Sequence, residues 1–296
     1  MLVRRKAAPV YLYSWLMNRT FSKICTCLRR AAAVLVSCAL LAAPIATLAL
    51  EGEGVNVGKN SVFTQLVPAE TVERSAGQQY ALMLQQADTK RALGPADNAQ
   101  VKRLRRIAQR LIPFAIPWNE RAKQWQWEVN LIGSTQINAF CMPGGKIAFY
   151  SGILKTLQLT DDEVAMVMGH EIAHALREHA RERMGKNAAT GIGASVITQL
   201  FGLGQLGQTV TNYGAQLLTL EFSRSDESEA DLVGMELAAR AGFDPRAGIT
   251  LWQKMAAASQ VAPPQWLSTH PAGSTRIADI EANLPKVMPL YLRAKK

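Results

Sequence analysis

The chain has 296 residues and a formal charge of +10, from 33 basic and 23 acidic residues; that length suits one or two domains. Seven of the basic residues and no acid fall in the first 49, so the remainder is near neutral and a nucleic-acid partner is not expected. Three of the four cysteines (Cys25, Cys27 and Cys38) lie in the same leader, which leaves Cys141 alone and permits no internal disulfide beyond it.

The leader, residues 1–49, places Arg4, Arg5, Lys6, Arg19, Lys23, Arg29 and Arg30 ahead of an apolar run from Ala31 to Leu50. A basic segment followed by an apolar one with small residues at its end is the order of a bacterial secretory signal, with cleavage near Ala46 or Ala49. Three alternatives remain: an uncleaved anchor, since about 20 apolar residues can span a bilayer; a start at Met17; and lipidation at Cys38, since Leu35-Val36-Ser37-Cys38 has the look of a lipoprotein box. Residues 50–68 are polar and contain glycine, and read as a flexible linker. The domain proper is expected over 69–296.

Ala69 to about Lys90 and Asn98 to about Leu111 read as helices, parted by Gly94-Pro95; Pro113 and Pro117 end the second. Gln126–Ile132, Thr135–Phe140 and Lys146–Tyr150 read as strands, the last two joined by Pro143-Gly144-Gly145. Thr160-Asp161-Asp162-Glu163 is a capping box with acids in the first turn. It predicts a helix of about 25 residues closing at Gly185. Residues 188–210 are apolar and rich in glycine, either a lid or membrane-contacting segment or a pair of short helices with a buried face. A further helix is expected from about Tyr213 to Ala241. Asp244-Pro245 opens another to about Ser259, and Ile277–Asn283 a short last one. No long-period repeat is visible. The expected class is α+β, mainly helical, with a small β-sheet or hairpin beside the longest helix.

That helix carries His170-Glu171-Ile172-Ala173-His174. Two histidines four apart share a helix face and can converge on one ion, with the intervening glutamate beside them as general base; H-E-x-x-H is a zinc-hydrolase signature. His179, five residues past His174, would lie about 180° around a continuous helix from His170, and so reads as a surface residue. A catalytic zinc site needs a third protein ligand. Glu227-Ser228-Glu229-Ala230-Asp231 offers it: Glu227 and Asp231 share a face, so one can bind metal while the other holds a ligand histidine. Glu229 points about 160° away and reads as solvated.

His170-Glu171-x-x-His174 with Glu227-x-x-Ala230-Asp231 resembles the gluzincin metallopeptidases related to the CAAX prenyl protease and the heat-shock membrane protease. Asn138-Ala139-Phe140-Cys141-Met142-Pro143-Gly144-Gly145 is similar to that family's hairpin before the active-site helix, and Thr269-His270-Pro271 with Arg276 to its C-terminal segment. The likeness runs from about Ala69 to Leu284. It is nearest the soluble periplasmic branch, since the several spans of the prenyl protease are missing. It implies a zincin-like core, one Zn2+ on His170, His174 and Glu227, and Asp231 in support. It also implies a periplasmic endopeptidase acting on extended or misfolded polypeptides, with outer-membrane assembly machinery as a candidate partner. A chaperone-like assembly factor with little proteolysis is the alternative.

Together the chemistry and the resemblance assign proton transfer to Glu171, and oxyanion stabilisation to His270 or Arg276. His270 has a second expected role, binding zinc at rest and closing the site. Substrate is expected on an edge strand, either Asn138–Phe140 or Lys146–Tyr150.

Overall fold

Three short strands set the frame of the described chain, which in this computed structural model comprises residues 53–190, 221–260, 264–271 and 275–296. They are β1 (Glu128–Ile132), β2 (Ala139–Met142) and β3 (Lys146–Tyr150). β2 and β3 form the expected hairpin, with Met142 opposite Lys146. Gly144 and Gly145 make its turn at φ 86° and 78°, a region only glycine enters at no steric cost. β1 pairs parallel to β3, so the order is β1-β3-β2 and β3 is central. Only β2 of the two candidate substrate strands is therefore an edge, and it begins at Ala139, four residues later than the alternation suggested.

Helix α1 (Ala69–Thr89) covers one face of the sheet. Its Tyr80 hydroxyl donates to the Ile147 carbonyl at 2.5 Å, inside a small cluster with Phe140, Met142 and Ala148. The other face takes α2 (Ala99–Leu111), capped by Asn98, and α4 (Asp161–Leu176). A turn of helix that the sequence reading did not foresee, α3 (Ser151–Thr156), links β3 to α4. Residues of α2, α4 and the C-terminal helices form one apolar core with the inner faces of β1 and β3.

The expected 25-residue helix is two helices. α4 ends at Leu176, Glu178 adopts the left-handed conformation at φ 58°, and α5 (His179–Ala189) sets off in a new direction. No glycine or proline marks the bend. It is held by side chains instead: Arg177 donates to the Gly58 carbonyl at 3.0 Å and pairs with Glu229, and the Glu178 carboxylate accepts from Arg181 at 2.6 Å.

α6 runs Arg224–Arg240, and Ser223 and Asp226 close a capping box that fixes its start; residues 213–220 of the expected helix lie outside the described residues. Then follow α7 (Ala247–Ser259), the single turn α8 (Trp266–Thr269) and α9 (Arg276–Ala294). Asp244 accepts from the Arg246 N–H at 3.0 Å, so the Asp-Pro pair forms a turn and the helix begins after it. The last helix is far longer than Ile277–Asn283 and runs through Pro285 and Pro289.

Part of the segment read as a flexible linker is built into the domain. Ser61 caps a 3-10 turn at Val62–Leu66, Val67 is fully buried, and the Val55 N–H donates to Glu236 at 2.7 Å. The leader 1–49 and residues 191–210 of the apolar stretch lie outside the described residues. Among the described residues no helix is long and apolar enough to cross a membrane.

Candidate metal centre

α4 and α6 cross with their backbones in contact, and this crossing builds the site. A methyl group on Gly169 would meet the Gly234 carbonyl oxygen at 2.7 Å, and one on Gly234 would meet the His170 nitrogen at 2.5 Å. Two facing glycines thus let Asp231, one turn from Gly234, reach the histidine that follows Gly169. The sequence signal was present in both glycines, but nothing local marks them as partners.

His170 Nδ1 lies 3.0 Å from Asp231 Oδ1 and donates there, which leaves the Nε2 lone pair directed inward. His170 Nε2 is 3.0 Å from His174 Nε2 and 3.2 Å from His270 Nδ1. Glu227 completes the group, with Oε1 3.3 Å from His174 Nε2 and 3.0 Å from His270 Nδ1, and Oε2 3.5 Å from His170 Nε2. All four residues are buried, and one ligand atom from each lies within 4.8 Å of the others. Zinc–ligand bonds of about 2.0–2.2 Å place neighbouring ligands of a tetrahedron roughly 3.3 Å apart, which is the spacing seen. Lone pairs that face one another in a buried space repel unless a cation lies between them. The donor set fits zinc.

Charge follows the same geometry. Burial pushes the His174 imidazole well below its usual pKa, keeping it neutral and able to ligate, although Glu227 pulls the other way. Burial would raise the Glu227 carboxyl, but its contacts with His174 and His270 outweigh that and hold it well below the carboxylate range. Asp231 is likewise depressed: burial works against ionisation, and Arg276 and His170 prevail. For His270, burial lowers the pKa but Glu171 and Glu227 reverse the shift, and the net direction is up.

Glu171 is buried beside the four. The Trp266 indole N–H donates to its Oε1 at 2.6 Å, and His270 Nε2 is 3.6 Å from the same oxygen. Trp266 came from no sequence argument; it sits on α8, and its ring stacks on His270 with centroids 4.8 Å apart. A cleft opens from Glu171 and His174 along residues 138–143, so the free side of β2 forms its wall.

Three sequence expectations change here. Arg276, a candidate oxyanion donor, has its guanidinium occupied: Nε and Nη2 grip both Asp231 oxygens at 2.6 and 2.7 Å, Nη1 donates to Glu227 Oε2 at 2.6 Å, and the group lies 3.8 Å over the Trp252 ring. It positions the two carboxylates and has no donor turned to the cleft. His179 is not on the surface: the bend after Leu176 swings it back until its Nδ1 is 2.9 Å from His174 Nδ1. Glu229 is not solvated either, being half-buried and paired with Arg177.

Two histidines and a glutamate on one helix, a second glutamate from a crossing helix, and an edge strand alongside are the arrangement of a zincin-type metal site. The chain belongs to peptidase family M48, whose sequence profile matches residues 98–284. Among its relatives, the mitochondrial metalloendopeptidase OMA1 of Arabidopsis thaliana is 39% identical over 150 residues, 51% of this chain and 30% of that protein. The protein of the same name from Schizosaccharomyces pombe is 38% identical over 164 residues, 54% of this chain and 48% of its own. The beta-barrel assembly-enhancing protease of Yersinia pestis is 30% identical over 169 residues, 54% of this chain and 35% of its own. The matched segments span less than half the length of each of these relatives.

Proposed function

We propose that the protein is a zinc endopeptidase of the bacterial cell envelope that cleaves misfolded or misassembled polypeptides. The observation that carries the enzymatic reading is the convergence of His170, His174 and Glu227 beside Glu171, at the head of a cleft walled by an edge strand.

His170, His174 and Glu227 would hold zinc, which when bound would supply Lewis acidity for the scissile carbonyl and for the attacking water. Glu171 takes the proton from the attacking water and returns it to the leaving amine; the Trp266 N–H fixes the carboxylate in place. An extended peptide adds to β2 through main-chain hydrogen bonds, which ask for an unfolded segment and little particular sequence. His270 Nε2, beside Glu171, is the side chain placed to donate to the developing oxyanion.

The envelope location is supported by the basic, then apolar, leader, and the misassembly role by the name of the beta-barrel assembly-enhancing protease. Relatives named as mitochondrial make cell fractionation the deciding measurement of place. Recovery outside the envelope would remove that part of the proposal.

Glu171→Gln tests the chemistry. It keeps the three ligands and removes the base, so zinc content should stay at one per chain while casein cleavage falls at least about 10²-fold. Unchanged cleavage would take Glu171 out of the mechanism. If the same variant restores envelope integrity as well as the unaltered protein does, the chaperone-like assembly role is favoured over proteolysis.

A further inference from the structure

We propose that His179 and Glu229 are positioning residues for His174, fixing its tautomer and ring orientation as Asp231 and Arg276 do for His170. The inference rests on His174 being a zinc ligand.

His174 can bind a cation through Nε2 only if its ring proton sits on Nδ1. That Nδ1 lies 2.9 Å from His179 Nδ1, and both rings are buried. Two such nitrogens bond only when one donates and the other accepts. With His174 as donor, His179 must accept at Nδ1 and carry its own proton on Nε2. Its Nε2 is buried and makes no hydrogen bond among the described residues, yet it faces Glu229 Oε2 at 3.7 Å. Glu229 is anchored by Arg177 at the bend between α4 and α5. The Phe222 ring stacks on His174 with centroids 3.9 Å apart.

The His179–His174 contact, with Glu229 facing the outer nitrogen of His179, therefore sets which nitrogen of His174 faces the metal, and Arg177 anchors Glu229. It parallels Arg276–Asp231–His170, which also ends on an arginine. A purely packing role explains the pattern poorly. A buried imidazole with an unpartnered N–H costs stability that an apolar ring of similar size would not. The arrangement also explains why the helix is broken without a glycine: a straight α4 would carry His179 to the far side.

The test compares zinc affinity, by competition with a chelator, among wild type, His179→Leu and His179→Asn, with melting of the metal-free proteins as the control for folding. His179→Leu, which cannot accept, should bind zinc about 10- to 100-fold more weakly, the usual effect of removing such a partner. His179→Asn, whose Oδ1 can stand where Nδ1 stood, should recover most of that loss. Wild-type affinity in a folded His179→Leu would overturn the proposal, as would equal weakness in the two variants. Should His179→Leu fail to fold, the 15N resonances of zinc-loaded wild type decide. His179 unprotonated at Nδ1 and protonated at Nε2 is the expected state; a proton on its Nδ1 overturns the inference. Wild type that binds no zinc would remove the metallopeptidase reading, and this inference with it.

Discussion

Glu227 and Glu229 are two residues apart on α6 and face different partners, so they separate the metal from its support. Glu227 touches three imidazoles and Arg276; Glu229 touches Arg177 and faces His179. Glu227→Ala should lose zinc in dialysis that the wild type survives, and Glu229→Ala should weaken binding only partly; metal analysis of both checks this, and the reverse order would mean the ligand is misassigned. His270 makes the sharper case. If its Nδ1 occupies a coordination position at rest, His270→Ala should cleave casein faster than wild type, because the position for water is freed. If it donates to the oxyanion instead, turnover should fall roughly 10²- to 10³-fold. Single-turnover rates on metal-replete protein separate the two, and an unchanged rate would leave His270 with neither role. His170, Glu171 and His174 were legible because their relation is local, four residues on one helix. His179 was not, because its place depends on a bend whose causes, Gly58 and Glu229, lie 121 residues before it and 50 after it in the sequence.

α4 is held at its start by a capping box that also reaches a neighbouring helix. The Glu163 carboxylate accepts from the Thr160 N–H at 2.8 Å, from Lys254 of α7 at 2.7 Å and from the Thr250 hydroxyl at 2.9 Å. Burial would raise its pKa, but those three donors outweigh it and the net shift is down. A carboxyl depressed in the folded state adds stability above its unfolded pKa of about 4.3, and that stability is lost as pH falls through the folded value. Glu163→Gln should therefore cost about 1–3 kcal/mol at pH 7, and the gap to wild type should narrow below about pH 4. Urea midpoints at pH 7 and pH 3.5 measure it; a gap independent of pH would mean the charge contributes nothing. The box at Thr160 was readable because its residues are consecutive. Its twin at Ser223 was equally readable, but the helical pattern was carried back to Tyr213 and past it. The order β1-β3-β2 was beyond reach, since a parallel pairing across an intervening hairpin leaves no local mark.

At the scale of the molecule, the stretch from Glu53 to Val67 ties together the helices around the metal centre. Glu53 pairs with Arg293 of α9, the Val55 N–H meets Glu236 of α6, and the Gly58 carbonyl accepts from Arg177 at the bend. Asn60 donates to Glu178, and the Val67 carbonyl accepts from Arg181 of α5 at 2.5 Å. Its polar, glycine-containing composition reads as a linker because three of these contacts, at Val55, Gly58 and Val67, are made by backbone atoms, which composition does not encode. Removing it would leave the buried Glu236 and Arg177 short of partners, and each such loss costs about 1–3 kcal/mol. A chain beginning at Ala69 should thus melt several degrees below one beginning at Glu53; about 2 kcal/mol corresponds to roughly 4–8 °C at this size. It should also hold zinc less tightly, because Arg177 anchors Glu229 against His179. Melting and chelator competition on the two chains check both effects. Equal melting would show the stretch to be dispensable, and a lower melting point with unchanged zinc affinity would confine its role to stability and detach it from the metal site.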